Sequence, residues 1–340
     1  MSQTSAVFLS LIVCMLLGAG AQPFGPGRQD PHWELGKPAP AVPLSPPKVE
    51  ALDKYACASC HREVAEEWAD TAHAISWLDE HYRKQMEHHR RPESCHGCHA
   101  PEPLHLTDVT ERPDVRENER DLGISCESCH LGLENTMLGP RGTPTDAHPS
   151  KQSETMTGLG SSVLCITCHK VNIGPVIGIA KDFESSKQAE RGRSCVGCHM
   201  AQVERRWATA KEGAEQPPPR TGRSHAIQTP RDPTFLRRAF ELSVRTEGKT
   251  TFVTVANQAG HRVPGLVGRS IEIEARVLGA NGEELGRGTL TLDERSYLPV
   301  DGKLEIEVAA AGAEVSVVGK HHDPRASAPV VFLEERLKAR

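Results

Sequence analysis

The sequence predicts an α+β protein in which a mostly helical, loop-rich domain, residues 51–240, precedes a small antiparallel β-sandwich domain, residues 241–340. Three observations support this prediction. Every cysteine after residue 50 lies between residues 57 and 198, among short helical patterns that Gly and Pro interrupt. Beyond residue 242, short stretches rich in β-branched residues are separated by turn signals. The first 50 residues show neither pattern.

The composition sets limits on the interior and on the class of protein. The chain has 340 residues and a formal net charge of −5, a length that admits about two domains. It contains 17 His and 11 Cys but only 7 Phe, 4 Trp and 3 Tyr. Because aromatic side chains are the usual bulky fillers of a core, something else must fill part of the interior. The acidic balance argues against a nucleic-acid binder, which needs a basic surface for phosphates.

The first 21 residues have the pattern of a signal peptide. Residues 8–17 are almost unbroken apolar, and an A-x-A cleavage pattern ends at Ala21. Since residues 1–6 contain no Lys or Arg, an uncleaved anchor is the alternative. No later apolar stretch reaches the ~20 residues of a membrane span. We therefore expect an exported or periplasmic protein with no stable membrane span after signal cleavage.

Residues 22–50 are predicted to form an extended spacer, because eight prolines fall within this segment. After the spacer, residues 63–78 place apolar side chains at helical spacing, and residues 80–89 form a second candidate helix.

Ten of the eleven cysteines form five copies of the pattern C-x-x-C-H. Two thiols three positions apart can reach the two vinyl groups of one porphyrin, and the next residue then places its imidazole under the iron. This pattern is the attachment signal of c-type haem. The five copies consist of Cys57, Cys60 and His61; Cys95, Cys98 and His99; Cys126, Cys129 and His130; Cys165, Cys168 and His169; and Cys195, Cys198 and His199.

Zinc and disulfide bonds are the alternative uses of these cysteines. A zinc ribbon pairs one C-x-x-C with another, and five copies leave one unpaired. Disulfides suit an exported chain, but they do not require a His after every second Cys. The sequence therefore predicts five covalently bound haem c groups, each with the motif histidine as its proximal ligand.

The five motifs lie within residues 57–199, so few residues are available to separate one haem from the next. Neighbouring porphyrins are expected to lie close together, which allows an electron to pass from iron to iron.

Several segments resemble the cytochrome c554-like multihaem cytochromes. The first motif is followed by Trp68 and by Thr71-Ala72-His73, and Gly123-Ile-Ser precedes the third motif in a similar way. The segments around His225 and from Gly260 to Pro264 are also similar to pieces of related exported multihaem cytochromes. The resemblance covers roughly residues 55–269. It departs from the family pattern after Pro264, where the usual Thr is missing.

The resemblance implies that His73 caps a haem other than the one bound by its own motif, and that one haem can lack a sixth ligand. Axial ligand identity is a main control on haem potential. The candidates for the distal position are His73 and His225 first, then His148, His261, and His96 or His105. The charged run that contains His88 and His89 is interpreted as a solvated helix face. The pair His321 and His322 is also assigned to the surface.

Six short strands are predicted near the carboxyl end. Turn signals such as Asn281-Gly282 separate them. They span residues 250–255, 270–277, 288–292, 303–308, 314–318 and 329–333. The loop that contains His261 could reach back and cap a haem, which would tie the two domains together.

The leading functional hypothesis is an electron-transfer protein that relays electrons through five haems between redox partner proteins. The rival hypothesis is a reductase of a nitrogen or sulfur oxyanion, which would need one haem with an open coordination position. A third hypothesis is that the β-domain docks the protein onto a larger complex. With spare histidines available and no C-x-x-C-K variant of the motif, the sequence favours the carrier and suggests no catalytic residue.

Overall fold

The computed structural model describes residue 52 and residues 55–107, 109, 111–176 and 178–339. The predicted signal peptide and proline-rich spacer lie outside the described residues. None of the helices within the described ranges combines the length and the apolar character that crossing a membrane requires.

The motif-bearing part of the chain consists of short helices joined by long loops. The helices have four to nine residues each. They are α1 (Arg62–Ala69), α2 (Glu80–His88), α3 (Glu93–His99), α4 (Cys126–His130), α5 (Val163–His169), α6 (Ile179–Glu184), α7 (Lys187–Glu190), α8 (Cys195–His199) and α9 (Pro233–Arg237). The expectation of a mostly helical domain is therefore wrong, since loops and turns make up most of this region.

The helix predicted over residues 63–78 ends early, at Ala69 of α1, and turns occupy residues 70–78. Thr71 explains the end, because its hydroxyl donates to the Trp68 carbonyl (2.7 Å) and accepts from the Ala74 amide (3.2 Å). A side chain that bonds to nearby backbone in this way competes with the helix. The second prediction, residues 80–89, agrees with α2.

Four of the five motifs form a short helix whose last residue is the motif histidine. Serines immediately before two of the motifs start these helices. Ser125 accepts from the amide of Ser128 (3.4 Å), and Ser194 accepts from the amide of Gly197 (3.0 Å). Such N-caps satisfy backbone donors at the first turn. The first motif differs, because it lies on a 3₁₀ turn, Ala56–Ser59, and His61 precedes α1.

Two small two-stranded sheets lie among these loops. Strands β1 (Met137–Gly139) and β2 (Ser150–Gln152) pair in parallel, whereas β3 (Gln202–Arg205) and β4 (Arg220–Arg223) pair antiparallel.

The carboxyl-terminal part consists of two antiparallel sheets. Their strands are β5 (Phe240–Glu247), β6 (Thr250–Asn257), β7 (Ser270–Leu278), β8 (Glu284–Leu292), β9 (Lys303–Val308), β10 (Glu314–His322) and β11 (Val330–Lys338). One sheet has the order β5-β6-β9 and the other β11-β10-β7-β8. Alternate residues such as Val253 of β6 and Ile273 of β7 are fully buried in one apolar cluster that both sheets share.

Strand β5 is missing from the six predicted strands. Its alternation of Phe240, Leu242 and Val244 is the period-two signal of a strand, and it pairs with β6 over its whole length. The predicted domain boundary, between residues 240 and 241, falls at the start of this strand, whose apolar residues contribute to the shared cluster or pack against it.

Hydrogen bonds and ion pairs connect the sheets to the motif-bearing part. Arg262 donates to both carboxylate oxygens of Asp182 in α6, at 2.6 and 3.0 Å. The Gln188 side chain donates to the carbonyl of Gln258 (3.0 Å). These contacts fix the loop before β7 against α6 and α7.

Candidate haem sites

Four of the five motif histidines share one hydrogen-bonding arrangement. In each of the four, Nδ1 lies at hydrogen-bond distance from a backbone carbonyl oxygen. The pairs are His61 with Trp207 (2.5 Å), His99 with Ser76 (2.8 Å), His130 with Leu138 (2.8 Å) and His199 with Gln228 (2.7 Å). A carbonyl partner keeps the proton on Nδ1 and leaves the lone pair on Nε2 for a metal, as is usual for metal-bound histidines.

A second histidine ring faces each of four motif histidines. The ring centres are 6.5 Å apart for His61 and His148, 6.3 Å for His169 and His73, 6.0 Å for His130 and His225, and 6.3 Å for His199 and His261. Metal–imidazole bonds are about 2 Å long, so two imidazoles on opposite sides of one metal ion have centres about 6 Å apart. The four pairs have the spacing that one iron between two imidazoles requires.

Burial favours the neutral form of several of these imidazoles. It lowers the pKa of His73, His199 and His225 to about 4, and it also lowers the pKa of His130 and His261. A neutral imidazole retains the lone pair that a metal ligand must donate. Together with the ring spacing and the carbonyl bonds, this shows that the residues fit haem iron.

The second motif differs from the other four. The ring of Tyr82 stacks on the His99 ring, with centres 3.6 Å apart and planes inclined by 8°. No described histidine forms a facing pair with His99 of the kind seen at the other motifs. Tyr82 is buried, and its hydroxyl has no hydrogen-bond partner among the described residues. Sequence reasoning overlooked Tyr82, which looked like an ordinary residue of α2.

The remaining candidate histidines lie away from the facing positions. His96 has its edge against the Trp77 ring, at 5.0 Å between ring centres. His105 is half-buried near the third motif, where burial lowers its pKa. His88 and His89 are exposed, as predicted. The surface assignment is wrong for His321, which is buried at the end of β10, whereas His322 is exposed.

Cysteines of different motifs lie close enough to influence each other's pKa. Cys57 pairs in this way with Cys126, Cys98 with Cys168, and Cys165 with Cys195. The first motif is therefore near the third, the second near the fourth, and the fourth near the fifth. None of the ten motif cysteines forms a disulfide bond.

Two ion pairs hold facing histidines in place. Glu67 accepts two hydrogen bonds from Arg205 (3.0 and 2.6 Å) and one from the backbone amide of His225 (2.7 Å). The Asp182–Arg262 pair fixes the residue after His261, whose Nδ1 lies 2.8 Å from the Arg262 carbonyl oxygen. Sequence reasoning missed both ion pairs, because their partners lie far apart in the chain.

Comparisons with known proteins agree with this geometry. Residues 56–131, which contain the first three motifs, match the family model described as cytochrome c554 and c-prime. Over 164 residues, 46% of this chain, the sequence is 27% identical to the high-molecular-weight cytochrome c of Nitratidesulfovibrio vulgaris. The chain matches about a quarter of the length of that relative (26%). The protein is a multihaem c-type cytochrome.

The fold of this cytochrome also has a solved counterpart. The crystal structure of a penta-heme cytochrome c552 from Thermochromatium tepidum aligns with a TM-score of 0.53, over 83% of this chain and 97% of that one, at 16% identity. At this identity the likeness shows a shared fold. The cofactor of the cytochrome is haem c, bound covalently through C-x-x-C-H motifs.

Proposed function

We propose that this multihaem cytochrome is an exported, periplasmic electron carrier with five haem c groups, which passes electrons between two redox partner proteins. The observation that supports this proposal is the set of four facing histidine pairs with ring centres 6.0–6.5 Å apart. A haem iron with two histidine ligands has no open position for a substrate, and such ligation generally gives a low potential.

Each group of side chains has one role in this proposal. The ten motif cysteines form the thioether bonds, and the five motif histidines supply the proximal nitrogens. His148, His225, His73 and His261 supply the distal nitrogens opposite His61, His130, His169 and His199 respectively. When bound, each haem supplies an iron that gains or loses one electron. The protein's own contribution is to hold neutral imidazoles at a fixed spacing.

The proximity of cysteines from different motifs suggests the order of the relay. Motifs whose cysteines lie close together would hold their haems close together, which favours fast electron transfer. The first motif is near the third, and the fourth is near both the second and the fifth. We therefore place the fourth haem between the second and the fifth.

The charge of the protein suggests how it meets its partners. The chain is acidic, with a net charge of −5, and ionised propionates of bound haem would add to it. We expect donor and acceptor proteins with basic patches and a salt-sensitive encounter. In this proposal residues 1–21 are removed, residues 51–240 carry the haems, and residues 241–340 hold His261 and could dock onto a partner.

Mass spectrometry and paramagnetic resonance test the proposal. The exported protein should gain the mass of five haems. The oxidised protein should show low-spin signals from four haems with two histidine ligands. His73→Ala should convert one low-spin haem to high spin, whereas His88→Ala, at an exposed histidine, should leave the spectrum unchanged. A mass gain short of five haems, or an unchanged spectrum in His73→Ala, would contradict the proposal.

The second candidate function is reduction of a nitrogen or sulfur oxyanion at the haem of the second motif. The stacking of Tyr82 on His99, in place of a facing histidine, favours this candidate. An open position there should give a high-spin signal in the oxidised protein that changes on addition of nitrite, hydroxylamine or cyanide. A spectrum composed of low-spin signals alone would rule out this second function and leave the carrier intact.

A further inference from the structure

A buried polar cluster lies where the four-stranded sheet meets the second motif. It comprises Arg269, His321, Asp323 and Arg325. The register of β7 and β10 pairs Ser270 with His322, which places Arg269 beside Asp323. From this cluster, Arg325 Nε reaches to within 3.8 Å of Asp79 Oδ2.

The cluster is adjacent to His99. Asp79 lies three residues after Ser76, whose carbonyl oxygen is 2.8 Å from Nδ1 of His99. Asp79 also caps α2, because its Oδ1 accepts from the amide of Tyr82 (3.2 Å), the residue that stacks on His99. The carboxylate of Asp79 thus links Arg325 to the surroundings of the second motif.

The two arginines of the cluster share one carboxylate at hydrogen-bond distance. Arg325 donates to both oxygens of Asp323 (3.0 and 2.7 Å), and Arg269 donates to one of them (3.3 Å). A further bond joins Arg269 Nη1 to the carbonyl of Val267 (2.7 Å). These bonds use two of the three nitrogens of each guanidinium. Both arginine side chains are only 14% exposed.

His321 places two buried ring nitrogens without partners beside these arginines. Its side chain is 2% exposed and lies on the same face of β10 as Val315 and Val317, which belong to the apolar cluster. Neither ring nitrogen has a hydrogen-bond partner among the described residues. Burial lowers the pKa of His321 to about 4, so the ring is neutral at neutral pH. Buried polar groups without partners are rare in proteins and indicate a missing ligand or water.

We propose that Arg269, His321 and Arg325 bind an oxyanion beside the second motif. A guanidinium offers a planar pair of N–H donors that matches the two oxygens of a carboxylate or a small inorganic oxyanion. The imidazole N–H of His321, in strand β10, supplies a third donor. Two sources have this chemistry. One is a propionate carboxylate of the haem at the second motif, which rests on the proposed function, and the other is a free oxyanion from solution.

The test uses the haem-loaded protein and two measurements. Arg325→Gln and His321→Gln are compared with Arg336→Gln, a control at an exposed arginine of β11 that pairs with Glu314 (3.3 Å). Haem content is checked first. Midpoint potentials are measured by spectroelectrochemistry, and nitrite and sulfite are titrated while the optical spectrum is recorded.

If the oxyanion is a propionate, Arg325→Gln should lower the potential of one haem, because it removes a positive charge that favours the reduced haem. In this case neither nitrite nor sulfite should alter the wild-type spectrum. If the oxyanion comes from solution, nitrite or sulfite should give a saturable change in the wild type that needs at least tenfold more anion in Arg325→Gln.

Potentials and anion responses equal to those of Arg336→Gln in both variants would overturn the proposal. If Arg325→Gln does not fold, Arg269→Gln decides the question by the same criteria, since it also removes one positive charge from the cluster. The low-spin signals of the four histidine pairs report on the relay separately, so failure of the oxyanion site would leave the proposed function standing.

Discussion

The two halves of the molecule bury apolar side chains to very different extents. Among the described residues, nineteen form the apolar cluster between the carboxyl-terminal sheets, and fully buried valines and isoleucines dominate it. The largest such cluster in the motif-bearing part has six members, which include four alanines and Trp68. The sheets are therefore stabilised by their own side chains. The described motif-bearing part has no side-chain core of comparable size, which fits the scarcity of aromatic residues in the sequence.

The largest effect should follow from withholding haem. Without haem attachment, we expect residues 55–239 to lose their structure and the two carboxyl-terminal sheets to remain folded, since only the first region lacks a side-chain core. Limited proteolysis followed by mass spectrometry measures this difference. Equal protection of the two regions in the haem-free protein would contradict the comparison.

A core substitution in the sheets should destabilise the sheets and leave the haem-binding region unchanged. Ile273 is fully buried in the shared cluster, and Ile273→Ala should reduce the free energy of unfolding of the sheets by roughly 2–5 kcal/mol. Chemical denaturation followed by far-ultraviolet circular dichroism measures the loss. Val331→Ala, at a residue that is 43% exposed, is the matched control and should have little effect. The optical spectrum of the folded variant should stay that of the wild type.

Breaking the Asp182–Arg262 pair tests the connection between the two regions. These side chains are 12% and 6% exposed, and the pair supports the loop that presents His261 to His199. Asp182→Asn should cost about 2 kcal/mol, since it weakens hydrogen bonds to a charged group. It should also reduce one low-spin signal in paramagnetic resonance.

The control for this variant is Arg245→Gln, at an exposed arginine that pairs with Glu305 (2.7 Å). Stability and spectrum should both stay at wild-type values in the control. An Asp182→Asn protein with an unchanged spectrum would show that His261 is held independently of the ion pair.

The pH dependence of this pair is the smallest expected effect. Burial favours the neutral acid, but hydrogen bonds from Arg262 outweigh burial and hold the pKa of Asp182 below its usual value. The contribution of Asp182 to stability is therefore complete above the unfolded pKa of about 4, and it is lost as the pH falls through the lower folded value. Unfolding free energies measured between pH 5 and 2 should fall less in Asp182→Asn than in wild type.

The predictions from sequence succeeded where the signal is local. Helix α2 and all six predicted strands occupy the expected stretches, because helical and period-two patterns depend on neighbours along the chain. The prediction of a mostly helical domain failed because such patterns do not report turns like the one at Thr71, or loops that wrap a cofactor. Strand β5 was missed because the predicted domain boundary, between residues 240 and 241, falls at the start of its alternation of apolar and polar residues.

The sequence by itself determined the cofactor chemistry of this cytochrome. Two thiols and an imidazole within five residues can bind one porphyrin independently of the rest of the chain. The ten cysteines and five motif histidines can therefore be predicted without knowledge of the fold. Only the tertiary structure decided which second histidine faces which motif, that Tyr82 stacks on His99, and that His321 is buried. Those contacts join residues from distant loops and strands, and their distances depend on how the whole chain packs.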